Sequence, residues 1–326
     1  MKDLISKLLK LSVIVSCATL SCLAAQDAQA YPERPIRLVV PNAPGGGTDG
    51  FARVMAQKLG EALQQTVVVE NKPGAQGGIG TTYGAKAAPD GYTLTLAFVS
   101  TMAVNPFVYP DIGYEPLKDF VAVAVGVNQP YLMVTYPASP YQNLQEFGQF
   151  AKQKKGGATF ASTSSQTELI GVLFQTLLET RMLYIPYKNA TTAVVELSRG
   201  DIDVMVASLP SAIPLLNAGK LKALAVTGNK RVAALPNVPS AAEAGFPAFE
   251  ANGWYGIVAP KGTPDAIVQF LNKHINAILA MPDVQQNLSA AGFEVLTGTP
   301  AEFTAMIERD YKRWGELAQA QKSMRK

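Results

Sequence analysis

The run Ile36-Arg37-Leu38-Val39-Val40 is apolar but for one arginine and rich in β-branched side chains, the pattern of a buried strand. It stops at Pro41-Asn42-Ala43-Pro44-Gly45-Gly46-Gly47, a loop by composition. Beyond the loop, Phe51, Met55, Leu59 and Leu63 recur every four residues. That spacing puts them on one stripe of a helix, which Thr48 or Asp49 can cap. A second strand is expected over Thr66 to Glu70, so the chain opens as strand, loop, helix, strand.

A second glycine-rich loop follows, Asn71-Lys72-Pro73-Gly74-Ala75-Gln76-Gly77-Gly78, then a short helix to about Ala87 and the turn Pro89-Asp90-Gly91. A strand from Tyr92 to Val99 runs into Ser100-Thr101. Residues 105–120, rich in Pro, Tyr and Gly, read as an irregular connection before strands near 121–127 and 131–136. The middle repeats the logic: a helix over 142–154, a strand over 158–161, and the hydroxyl loop Ser162-Thr163-Ser164-Ser165. The next helix, 166–179, turns Leu169, Leu173 and Leu177 inward. Strands at 183–186, 202–207, 221–227 and 254–259, with helices at 192–199, 264–280 and 300–321, complete the pattern. Strand and helix alternate, which is α/β architecture. Polar or glycine loops recur at strand C-terminal ends, where open α/β sheets bind ligands.

At 326 residues and 48% hydrophobic content, two domains are expected. Charged residues are 16% and the net charge is +3, which gives no footprint for nucleic acid. Lys152, Lys154 and Lys155 are only a short cluster at a helix end. The first 30 residues read as a cleavable export signal: Lys2, Lys7 and Lys10, an apolar stretch to about Ala25, then Ala28-Gln29-Ala30. The alternative is a lipoprotein acylated at Cys22 or Cys17. Both cysteines of the chain lie in this segment, so cleavage after Ala30 removes every thiol and thiolate ligand. The expected location is the periplasm.

Gly45-Gly46-Gly47-Thr48-Asp49-Gly50 fits G-x-G-x-x-G, and Glu70 lies 20 residues after Gly50. A dinucleotide-binding oxidoreductase is therefore one alternative, and export argues against it. A plain glycine turn is another. The preferred reading places a smaller anion at the same helix start, on exposed N–H groups and the helix dipole. The loops at Gly74–Gly77 and Ser162–Ser165 offer the same device. Catalytic groupings are poor. The single histidine, His274, sits within a helical stripe, and no G-x-S-x-G is present. No metal or cofactor is expected. Asp201-x-Asp203 could suggest a metal but reads better as a solvated Asp201 and an Asp203 that starts a strand near the cleft. Trp254 and Tyr255 are candidates for the cleft wall or for hinge packing.

Several segments together carry a family resemblance: Tyr31-Pro-Glu-Arg-Pro-Ile-Arg, Pro44-Gly-Gly-Gly-Thr-Asp49, Val69-Glu-Asn-Lys-Pro-Gly-Ala-Gln-Gly77, Pro186-Tyr-Lys188, Glu243-Ala-Gly-Phe-Pro247 and Ala259-Pro-Lys-Gly-Thr-Pro264. The chain resembles the Bug receptors, the TctC-like substrate-binding proteins of tripartite tricarboxylate transporters. The resemblance implies a two-lobed Venus-flytrap fold of type II kind, with mostly parallel sheets flanked by helices and no enzymatic activity. It implies lobes of 31–130 with 254–326 and of 131–253. It also implies a small carboxylate (dicarboxylate, acidic amino acid or aromatic acid) held by Gly45, Gly46, Gly47, Thr48 and Asp49 and by Gly74, Ala75, Gln76 and Gly77. Ser100 closes its strand beside them. Ser162, Thr163, Ser164, Tyr187 and Asp203 would come from the other lobe. Membrane transporter subunits would be the partners of a monomeric receptor; a ligand-responsive sensor is the remaining alternative. The third loop, Ser-Thr-Ser-Ser, departs from the glycine-richer family pattern, as does Asn189.

Overall fold

The computed structural model describes residues 31–109, 111–187 and 190–324. The export segment expected over 1–30, with Cys17 and Cys22, lies outside the described residues, as do Lys188 and Asn189.

β1 (Ile36–Val40), α1 (Gly47–Leu63) and β2 (Val67–Asn71) form the opening unit. A 3-10 turn at Ala75–Gly77 leads into α2 (Gly78–Ala85) and β3 (Thr93–Phe98). A π-turn at Ser100–Val104 runs into α3 (Asn105–Val108), and α4 (Pro116–Asp119) precedes β4 (Phe120–Gln129) and β5 (Tyr131–Thr135). The segment expected to be irregular is thus partly helical. Then come α5 (Leu144–Gln153), β6 (Ala158–Ser162), α6 (Ser165–Leu177), β7 (Met182–Pro186), α7 (Ala190–Arg199), β8 (Val204–Ser208), α8 (Leu209–Asn217) and β9 (Lys222–Val226). β10 (Gly253–Pro260), α9 (Asp265–Leu279), α10 (Pro282–Ala290), β11 (Glu294–Val295) and α11 (Pro300–Met324) close the chain. The pattern had not announced α10, because only Val284 and Leu288 mark its buried side.

The strands form two sheets, ordered β11-β4-β10-β3-β1-β2 and β7-β6-β8-β5-β9. The β-α-β units pair in parallel: β1 with β2 and β3, β6 with β7 and β8. β10 runs antiparallel to β3 and β4, and β5 to β8 and β9. The sheets are therefore mixed, not mostly parallel. Two of the antiparallel members, β5 and β10, are the strands by which the chain enters one sheet from the other; β11, antiparallel to β4, is an edge strand. β4 passes into β5 across one residue, Pro130, and the chain returns from β9 into β10.

Each sheet buries helix stripes. Phe51, Met55 and Leu59 of α1 pack on Ile36, Leu38 and Val40. Burying such a side chain contributes about 1.5–3 kcal/mol. Phe147, Phe160, Phe174 and Phe249 fill the second sheet's side. Close approach of α2 to β1 depends on Gly80: a Cβ there would stand 2.7 Å from the Lys72 carbonyl and 2.8 Å from Pro41 Cα. That contact sets the start of α2 beside the start of α1.

Candidate functional site

The start of α1 is fastened from behind and left open in front. Asp49 is 3% exposed. Its Oδ2 accepts from the Gly45 N–H (2.9 Å) and from Arg53 Nε (2.8 Å). Its Oδ1 accepts from Asn71 Nδ2 (3.0 Å), which also reaches the Asn42 carbonyl (3.1 Å). Asn42 Nδ2 in turn donates to Thr48 Oγ1 (3.1 Å). Burial alone would raise the Asp49 pKa. The hydrogen bonds from Arg53, Gly45 and Asn71 and the Arg53 charge outweigh it and hold the carboxyl below its usual range. Gly46 is the N-cap, in extended backbone, and no side chain caps the helix. The first-turn amides have no intrahelical acceptor, and the dipole makes this end positive. Gly45 has φ +88°, a conformation glycine adopts freely.

The second loop holds four successive residues at positive φ: Gly74 (125°), Ala75 (47°), Gln76 (53°) and Gly77 (91°). Two of them are not glycine, and each costs about 1–2 kcal/mol in the left-handed region. The bend is held by Gly77 N–H to the Gly74 carbonyl (3.0 Å) and by Asn105 Nδ2 to the Gln76 carbonyl (2.9 Å). Asn105 is fully buried and also accepts from Ser165 Oγ at 2.6 Å. This one side chain ties the second loop to the start of α6.

The third loop is closed on itself. Ser164 Oγ accepts from the Thr167 N–H, and Thr167 Oγ1 accepts from the Ser164 and Thr163 N–H groups (3.0 and 3.2 Å). This is a capping box. Ser162 Oγ is directed to Tyr184 and to the Ser164 carbonyl.

Between the loops lies a crevice of about 190 Å³. Asn42, Gln76, Phe98, Ser100, Gln129 and Tyr255 wall one side. Tyr131, Thr163, Ser164, Gln166, Ser208 and Ser211 wall the other, and Trp254 and Gly253 join at the strand return. Among the described residues, no charged side chain lines it. Of the residues expected from sequence, Gln76, Ser100, Thr163 and Ser164 reach this wall. Gly45 and Gly46 are exposed and are not part of its wall, while Gly47 faces Tyr255, Phe293 and Pro210. Gly74 and Ala75 are exposed, and Gly77 is buried beneath the turn, against Thr101 and Phe98. Thr48 and Asp49 act through their side chains as positioning residues. Larger grooves of about 610 and 900 Å³ lie on other faces, away from the three loops.

Two expected residues lie off this crevice. Asp203 sits just before β8, whose Met205, Ala207 and Ser208 line the crevice, but Asp203 itself is not on that wall. The Asp203 carboxylate is committed to Lys154 Nζ (2.7 Å) and to the Thr159 N–H (2.7 Å) and hydroxyl (3.0 Å). Tyr187 follows β7, an edge strand, and its hydroxyl donates to Glu196 on α7. Burial first, and then Glu196, push the Tyr187 pKa up to about 12. It does not line the cavity. His274 lies on α9, against the Phe270 carbonyl (2.8 Å) and ring. Sequence reasoning missed Gln129, Tyr131, Gln166, Ser208 and Ser211. The one local signal was the polar pair Asn128-Gln129 closing an apolar strand just before Pro130.

Among the described residues, no group of three His, Cys, Asp or Glu could hold a metal ion, and no helix is long and apolar enough to cross a membrane.

Two mixed sheets flanked by helices, joined by the one-residue crossing at Pro130 and the longer return into β10, and facing each other over a crevice, define the two-lobed solute-binding class. The family model for the tripartite tricarboxylate transporter family receptor (TctC) matches residues 51–322. The chain belongs to that family. It is 38% identical over 300 residues to Protein BugT of Bordetella pertussis, covering 91% of this chain and 92% of that protein. Its fold is similar to MatC of Rhodopseudomonas palustris with bound malate (TM-score 0.80, 31% identity, 88% of this chain and 100% of that one). It is also similar to a second R. palustris protein solved with adipate (TM-score 0.82, 32% identity, 89% and 97%). The chain is thus a solute-binding receptor by family, as the sequence motifs implied.

Proposed function

We propose that this protein captures a small carboxylate in the crevice between its lobes, in the periplasm, and delivers it to the membrane subunits of a tripartite transporter. The observation that carries the reading is the uncapped, glycine-led start of α1, braced by Asp49 and set beside a crevice that no charged side chain lines among the described residues. Main-chain donors and the helix dipole accept an anion there without a buried cation. The bound malate and adipate of the two R. palustris relatives are in keeping with this. The crevice is small beside the about 300–1,000 Å³ that holds drug-sized ligands, which suits a short acid and not a dinucleotide.

The lobes are 31–130 with 254–326, and 131–253. They close on the ligand by bending at the Gln129–Tyr131 crossing and at the return into β10, and contacts made only in the closed form shift the population. The receptor works as a monomer with one site. The test is a calorimetric titration of short carboxylic acids against their neutral primary amides. The acids bind one to one and raise the melting temperature by mass action; the amides do not. Equal binding of the amides overturns the anion site.

A further inference from the structure

The floor of the crevice holds a buried polar atom that no group among the described residues satisfies. Gln129 ends β4, one residue before the chain crosses to β5. Its side chain lines the cavity and is 2% exposed. Its Oε1 has no hydrogen-bond donor among the described residues. Buried acceptors of this kind nearly always have a partner, so one left open in a ligand crevice points to the ligand. Of the neighbouring side chains, the Tyr131 hydroxyl donates to Gln166 Oε1 (2.8 Å) and Gln166 Nε2 to the Asn252 carbonyl (3.3 Å), while the Tyr255 hydroxyl meets the Gln129 amide on its N–H side.

Position links this acceptor to the anion end of the site. The Gln129 amide lies within hydrogen-bonding reach of the Tyr255 hydroxyl. That hydroxyl is 3.6 Å from where a Cβ on Gly47 would stand. A carboxylate on the first-turn amides of α1 therefore brings its nearest carbons beside Gln129. The donor they carry is a hydroxyl or an ammonium group, and charge decides between them. Among the described residues no acidic side chain lines the cavity, and the Asp49 carboxylate is taken up by Gly45, Arg53 and Asn71. An ammonium group would lose its water without gaining a counter-charge. A hydroxyl needs only the acceptor.

We propose, resting on the carboxylate reading above, that the ligand is a hydroxycarboxylate and that Gln129 is the residue that selects it, accepting a hydrogen bond from a hydroxyl close to the bound carboxylate. A site with a buried polar group discriminates against the analogue that leaves it unpaired.

The experiment titrates the purified protein with matched acids that differ by one hydroxyl: glycolate and acetate, lactate and propionate, malate and succinate, mandelate and phenylacetate. In the pair that fits best, the hydroxy acid binds about tenfold tighter or more. In Gln129→Met, which keeps the length of the side chain and loses the acceptor, that ratio falls to within about twofold. Circular dichroism and melting temperature confirm that the variant folds. Equal affinity for both members of every pair in the wild-type protein overturns the proposal while leaving the carboxylate site standing, and needs no variant. A hydroxyl preference that survives Gln129→Met overturns the assignment to Gln129. If none of these acids binds, the proposal and the reading beneath it fall together.

Discussion

Two helix starts face the crevice, and they treat their free amides in opposite ways. At α6, Ser164 and Thr167 consume the exposed N–H groups of Thr163, Ser164 and Thr167 within the loop itself. At α1, Gly46 offers no side chain, and Asp49 takes up only the Gly45 amide, leaving the next turn open. A capped start is a stability device, worth about 1 kcal/mol. An uncapped one gives up that stability and keeps a positive, donor-rich end for a ligand. On the proposed reading the two lobes divide the labour: α1 would grip charge, and the α6 side would offer shape and hydroxyl groups.

The largest effect should come from filling the open end. A Cβ on Gly46 meets nothing within 4 Å, and its backbone is ordinary extended geometry, so Gly46→Trp should fold with an unchanged melting temperature. The indole would stand over the first-turn amides, and calorimetry should show ligand affinity reduced about hundredfold or more. Full affinity would break the contrast between the two starts.

Asp49→Asn comes next. It weakens the bond to Gly45 and removes the charge pair with Arg53, and should cost about 1–3 kcal/mol of stability at neutral pH, read by urea unfolding. The pH dependence has a definite sign. The folded-state pKa of Asp49 is depressed, so its contribution is present above the unfolded-state value near 4 and is lost as pH falls through the lower folded value. Wild-type stability should drop more steeply than that of Asp49→Asn as pH goes from about 5 to 3.

A smaller effect is expected at the capped start. Thr167→Val removes the hydroxyl shared by Thr163 and Ser164 and should cost about 1 kcal/mol, while ligand affinity changes by less than about threefold. A larger loss of affinity would place the third loop on a par with the first. At the bottom of the scale, His274→Ala on α9 should leave affinity unchanged within about twofold, because His274 contacts Phe270 and not the crevice.

Much of this was legible along the chain. β1, α1 and β2 followed from the run at Ile36–Val40, the stripe from Phe51 and the run before Glu70, since periodicity is local. Both glycine loops were visible for the same reason. Three kinds of feature were not. The antiparallel strands depend on how the chain travels between sheets, which no local pattern encodes. α10 buries too few apolar residues to show a stripe. Asp203 looked like a cleft residue because it stands beside a strand that does line the crevice, but its commitment to Lys154 and Thr159 depends on packing that no local pattern encodes.

What the sequence determined by itself is where main-chain donors stay unmet. Gly45, Gly46 and Gly47 before a helix fix that, because φ freedom and the lack of a cap belong to those residues alone. Only the tertiary structure decided which side chains look into the crevice. Gln129, Gln166 and Ser208 come from strands and helices far apart in sequence, and they meet only because two sheets cross at Pro130 and turn their strand ends toward each other.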